Sequence, residues 1–162
     1  MDLRPSRLSD PHALELIARV QAEYVERYGG EDEAPIRYDE FDAPAGAFFI
    51  GYADLGAGPV PVAMGGWRRA STQALGGREV AEIKRMFVDA AARRRGYAAA
   101  VLRHLEQTAA EAGIDVLVLE TGLRQPEAMA LYEAHGYVPI PGYGYYRDAP
   151  LSRCYAKKLA KS

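Results

Sequence analysis

The segment IDVLVLET, residues 114–121, limits the fold more than any other stretch of the chain. Its apolar residues run on without alternating, as in a strand covered on both faces. Upstream, VAEIKRMFV (80–88) sets Ile83, Arg85 and Phe87 against Lys84, Met86 and Val88, which predicts another strand. Between the two lies AAVLRHLEQTAAEAG. Val101, Leu102, Leu105, Ala109 and Ala112 form a helical face there, and Gly113 stops the helix. Strand, helix and strand in that order predict a parallel pair joined by a right-handed crossover.

The rest of the chain builds around this unit. Asp10 and Pro11 start a helix as N-cap and first helical residue. Leu14, Ile17, Tyr24, Val25 and Tyr28 follow at helical spacing, and Gly29-Gly30 ends it. EDEAPIRYDEFDAPAG (31–46) is a loop with room for one short helix. AFFIGYADL and VPVAMGGWRR, joined by GAGP, predict a hairpin. QPEAMALYEAHG is a helix with Pro126 at its first position and Gly136 past its end. YVPI and RCYAKKL are closing strands. The element order is strand, helix, three strands, helix, strand, helix, two strands. The fold class is α/β (α+β), a mixed central sheet with helices on it, and residues 1–162 form one domain.

Charge and cysteine content narrow the function. With 20 Lys and Arg against 22 Asp and Glu, the net charge is −2, which argues against a nucleic-acid partner. No apolar run approaches the roughly 20 residues of a membrane span. The N-terminus MDLRPSRLSD has no apolar stretch behind its charges and so is not a secretory signal. A lone cysteine, Cys154, fits a reducing cytoplasm and is expected to be a buried small hydrophobe. His12, His104 and His135 have no metal-site or triad spacing, so no metal is expected.

Against that mildly acidic background, RRRGYA (93–98) stands at the junction of a strand and a helix. A helix N-terminus has unpaired N–H groups and a dipole that favours anions, so arginines there call for an anion to complete the site. The motif is neither G-x-G-x-x-G nor a Walker A loop. A phosphate cradle and a solvated basic turn both satisfy the spacing.

RRRGYA matches [Q/R]-x-x-G-x-[G/A], the acetyl-CoA pyrophosphate loop of the GNAT superfamily of N-acetyltransferases, with Arg93, Gly96 and Ala98 at the defined positions. EIKRMFV resembles that family's fourth strand, and DVLVLETG its fifth. PEAMALYEAHGY resembles the helix and strand entry of its bacterial members. The resemblance runs from about Ala81 to Ile140. It implies a GNAT-like mixed sheet with helices on both faces, splayed between strands 4 and 5 with coenzyme A in the gap.

Residue by residue, it implies that backbone groups of Met86, Phe87 and Val88 meet the pantetheine arm. Arg93, Arg94, Arg95, Gly96, Tyr97, Ala98 and Ala99 surround the pyrophosphate. Gln125 stands where many members carry an asparagine that touches pantetheine. Tyr132 matches the tyrosine that protonates the departing thiolate, a fitting role for a phenol of pKa about 10. Glu82 is the favoured general base and Glu120 its rival.

The implied activity is N-acetyl transfer from acetyl-CoA, as co-substrate, to a small-molecule or peptide amine by direct attack in a ternary complex. No nucleic acid or membrane is expected as a partner, and a homodimer is allowed because many members dimerise. The alternative is a non-catalytic acyl-CoA-binding sensor or assembly module of the same fold. Tyr24, Tyr28, Trp67, Tyr143, Tyr145 and Tyr146 fall in segments that border the family's acceptor cleft, where Glu23, Glu26 or Asp32 would help hold a cationic amine. Each of these tyrosines is equally at home stabilising the hairpin or the closing strands. PGYGYYRD (141–148) is the candidate mobile acceptor loop.

Overall fold

The computed structural model describes residues 1–160. The strands are β1 (Asp2–Pro5), β2 (Gly46–Asp54), β3 (Pro59–Ala70), β4 (Val80–Val88), β5 (Val116–Gly122), β6 (Val138–Ile140) and β7 (Ser152–Lys158). The helices are α1 (Pro11–Tyr28), α2 (Tyr97–Glu111) and α3 (Pro126–Ala134). The element order matches the sequence expectation, with short 3-10 turns added at Tyr38–Phe41 and Ala90–Ala92. The sheet runs β1-β2-β3-β4-β5-β7-β6, and β4–β5 is its parallel pair. Asp10 caps α1 by accepting from the His12 N–H at 2.8 Å, and Pro11 opens the helix.

Two apolar layers cover the sheet. On one face, Val101, Leu102, Leu105 and Ala109 of α2 pack with Trp67, Ile83, Leu117, Leu119 and Tyr132. On the other, Ala13, Leu16 and Val20 of α1 pack with Phe41, Phe48, Ile50, Met64 and Phe87. Helices therefore lie on both faces. The unbroken run in β5 is explained by the same layering, because Leu117 and Leu119 face α2 while Val116 and Val118 join a third cluster on the opposite side.

Three sequence expectations are corrected here. The buried stripe of α1 is Ala13, Leu16 and Val20, whereas Leu14 and Val25 are exposed. Leu14 and Val25 lie toward solvent, while Ile17 and Tyr24 of the same spacing pack against the core. Ala112 is likewise exposed, beyond the buried face of α2. Finally, Ile83, Arg85 and Phe87 do not share one face. β4 pairs Lys84 with Gly66 but Phe87 with Met64, so a bulge inserts one extra residue around Arg85 and Met86. Arg85 sits there at φ 58°, in the left-handed region. The bulge sends Phe87 under α1 and turns Met86 toward the α2 side with Ile83.

The bulge also coincides with the end of sheet pairing. β4 and β5 pair only through Val80–Val116, Ala81–Leu117 and Glu82–Val118. Beyond Glu82 the strands part, and the opening between them is the splay expected between strands 4 and 5.

Candidate active site

A cavity of about 450 Å³ fills the splay. β4 contributes Ile83, Lys84, Arg85 and Met86, and β5 contributes Leu119, Glu120, Thr121 and Gly122. Tyr24 and Tyr28 wall it from α1, with Asp32 in the following loop. Gln125 and Tyr132 come from the α3 side, and Tyr146 and Ser152 from the chain entering β7. Gly122 is required by close approach, since a Cβ there would overlap the Tyr28 hydroxyl. That hydroxyl donates to Gln125 Oε1 at 3.3 Å. A second hollow of about 550 Å³, lined by Arg68, Glu82 and Tyr143, shares Lys84, Glu120 and Tyr146 with the first.

The titratable groups differ sharply in how far they are committed. Burial raises the Glu120 pKa, and the charges of Asp32 and Glu82 push the same way. A hydrogen bond from Ser152 Oγ, 2.8 Å from Oε1, and the charge of Lys84 hold it back. A carboxylate raised in this way is a stronger base than an ordinary glutamate. Glu82 is engaged at both oxygens. Oε1 accepts from Arg68 Nη2 at 2.9 Å and Nε at 3.2 Å, and Oε2 accepts from the Tyr143 hydroxyl at 2.8 Å. Burial, then the Glu82 charge, drives the Tyr143 pKa far up, so that hydroxyl remains a donor.

Tyr132 is buried among aromatic rings, 5.7 Å from Tyr137 and 6.5 Å from Tyr155 between centroids. Burial raises its pKa, and the Glu120 charge adds to the rise. The phenol keeps its proton across physiological pH and meets the cavity as a donor. Tyr146 donates to Asp32 Oδ1 at 2.9 Å and accepts from the Glu33 N–H at 2.8 Å, and burial chiefly pushes its pKa up to about 12. Asp32 Oδ2 stands 3.7 Å from Arg85 Nη1.

The arginine triplet follows β4 through the short 3-10 turn at Ala90–Ala92. Arg93 is tied down: Nη2 donates to both Glu23 oxygens at 2.6 and 2.7 Å, and Nε donates to the Val88 carbonyl at 3.1 Å. Its guanidinium also lies 5.8 Å from the Phe87 ring centroid. Arg93 thus fastens the loop to α1 and β4, while Arg94 and Arg95 are exposed. Gly96 caps α2 at φ 77°, which an L side chain rarely adopts, and a Cβ there would meet nothing within 4 Å. The first intrahelical bond runs from Ala100 N to Gly96 O at 3.1 Å. The N–H groups of Tyr97, Ala98 and Ala99 are therefore left for an external acceptor.

A profile of the acetyltransferase (GNAT) family matches residues 15–137. The chain belongs to this family. Among sequence relatives, the "IAA acetyltransferase" of Azospirillum brasilense is 38% identical over 78 residues, 48% of this GNAT chain and 51% of that protein. The chain thus spans about half the length of the curated relative it matches. A protein from Klebsiella pneumoniae assigned as an acyl-CoA N-acyltransferase has the same fold, with TM-score 0.76, 23% identity, and 98% and 97% of the two chains covered. So does a chain of the NatC complex bound to Gag peptide and CoA, with TM-score 0.67, 17% identity, and 99% and 100% covered.

Within this GNAT fold, the residues singled out from the sequence divide into three groups. Met86, Gln125 and Tyr132 line the splay cavity. Glu82 lines the adjoining hollow, and residues 93–99 lie at the start of α2. Phe87 is core beneath α1, and the Val88 carbonyl already accepts from Arg93. Trp67, expected near the acceptor, is instead core under α2, where its Nε1 donates to Thr108 Oγ1 at 3.1 Å. The expected cation holders are also altered, since Glu23 pairs with Arg93 and Asp32 faces Arg85. Sequence reasoning missed Arg85. The available signal was a charged residue inside a strand that borders the site. Among the described residues no group of three or more His, Cys, Asp or Glu could hold a metal ion, and no helix is long and apolar enough to cross a membrane.

Proposed function

We propose that this protein transfers an acetyl group from acetyl-CoA to a primary amine. The observation that carries the reading is the splay cavity, which brings a raised carboxylate, Glu120, and a protonated phenol, Tyr132, into one chamber. The donor-rich start of α2 follows the same strand and suits the pyrophosphate. β4 beyond Glu82 has no β5 partner, so its edge is open to amide groups of the pantetheine arm.

The chemistry follows from these positions. Glu120, directly or through water, takes a proton from the acceptor ammonium, whose pKa of about 10 keeps it charged at neutral pH. The free amine attacks the thioester carbonyl, forming the C–N bond. The C–S bond breaks, and Tyr132 protonates the leaving sulfur. The amine's second proton leaves as the amide forms and returns the tyrosine to its neutral state through solvent. Glu82 is less suited to the base role, because Arg68 and Tyr143 occupy both of its oxygens.

The test is a thermal melt with and without acetyl-CoA, followed by an amine screen for thiol release. Wild type should be stabilised and the Gly96→Glu variant should not, because a carboxylate at that cap repels phosphate. Stabilisation with no thiol release from any amine would favour the non-catalytic binding module. No shift with any acyl-CoA would sink the reading.

A further inference from the structure

Arg85 is the least satisfied charged group in the splay cavity. Its side chain is only 10% exposed, and Nε and Nη1 are buried without a hydrogen-bond partner among the described residues. Its nearest counter-charge, Asp32 Oδ2, lies at 3.7 Å, close enough for attraction but too far for a hydrogen bond. The other Asp32 oxygen is committed to the Tyr146 hydroxyl and the Ala34 N–H, both at 2.9 Å. A guanidinium carries five donors in a planar fork, and buried donors in native proteins are rarely left unpaired. The backbone holding it is unusual as well, since a non-glycine residue at φ 58° in a strand bulge is costly. A strained, buried arginine with idle donors, facing a cavity, has the character of a ligand clamp.

Resting on the acetyl-transfer reading above, we propose that Arg85 docks a carboxylate on the acceptor, so that the preferred acceptor is a small amino carboxylic acid. A carboxylate matches the guanidinium fork with two parallel bonds, which a neutral or purely cationic amine cannot supply. The remaining charges suit the other end of such a molecule. Glu120 on β5 faces the same chamber, so an ammonium finds a carboxylate there while the carboxylate of the same molecule finds Arg85. The rings of Tyr24, Tyr28 and Tyr146 would enclose the side chain. A polyamine, by contrast, would place a cation against Arg85.

The experiment compares matched acceptors that differ only at the carboxyl group: free amino acids against their carboxamides, aliphatic and aromatic. Thiol release from acetyl-CoA gives kcat/KM for each. In wild type the acids should lead their amides by on the order of 10²-fold, as expected for a buried charge pair. In Arg85→Gln, with Arg85→Lys as a second variant that keeps the charge without the fork, that preference should shrink, to within about threefold for the glutamine variant. A retained acetyl-CoA melt shift certifies that each variant is folded. Equal or better use of amides by wild type would overturn the carboxylate assignment while leaving acetyl transfer to amines intact. So would a variant that slows acids and amides by the same factor, since Arg85 would then serve the chemistry or the fold. No thiol release from either class, with the melt shift present, would overturn this assignment, while the transferase reading would fall only if the wider amine screen gave none either.

Discussion

Glu120 and Tyr132 owe their proposed roles to the same burial. For Glu120, desolvation raises the pKa above the ordinary glutamate value. A base works only when deprotonated, so activity should fall as the pH drops through that raised pKa. The acid limb of kcat/KM should therefore lie above the ordinary glutamate range. In Glu120→Gln that limb should vanish, with kcat down by about 10²–10⁴-fold; a Glu82→Gln variant that removed the limb instead would reverse the assignment. Tyr132→Phe should lower kcat by about 10²-fold or more, because the thiolate must then leave unprotonated, and single-turnover kinetics would read the loss. The sequence LYEAHGY singled out Tyr132, and the fold sets it on the cavity wall. The proposed rank of Glu120 over Glu82 was not legible there, because it rests on Arg68 and Tyr143 reaching Glu82 from distant parts of the chain.

At the scale of elements, most of the fold was legible because its signals are local. Asp10-Pro11, the GAGP turn, Pro126 and the run VLVL each mark an element through caps, turn residues or periodicity. The bulge in β4 was not legible. EIKRMFV alternates as a regular strand does, and only pairing with β3 shows the extra residue. The stripe of α1 was misjudged for a related reason: Leu14 and Val25 are apolar, but the sheet chooses Ala13, Leu16 and Val20. Two element-level predictions follow from packing. Leu105→Ala removes a fully buried side chain from the α2 layer and should cost about 2–5 kcal/mol in a denaturant titration. Gly122→Ala forces the Tyr28 ring aside, and the overpacking should cost about 1–3 kcal/mol in the same measurement.

The whole molecule should respond to the proposed co-substrate. Acetyl-CoA at about 100 times its dissociation constant should add about 2.7 kcal/mol, a rise of several degrees in Tm. The fold-level resemblance came from RRRGYA and its flanking strands, and the family match over residues 15–137 agrees with it. The acceptor was beyond the reach of the sequence, since the cavity proposed to hold it is assembled from α1, two strands, α3 and the chain before β7.

Only three residue pairs join β4 to β5, and this narrow join makes the sheet two plates riveted at one end. The antiparallel plate β1–β4 and the plate β5–β7 meet in the sheet only at that rivet, with α2 as the covalent strap between them and its apolar layer spanning both. A molecule lying in the mouth would act as a mortise pin and stiffen the whole body. Amide exchange at Ile83–Val88 and Leu119–Gly122 should therefore slow together when acetyl-CoA is added, while the β2–β3 hairpin, already paired along its length, should change little.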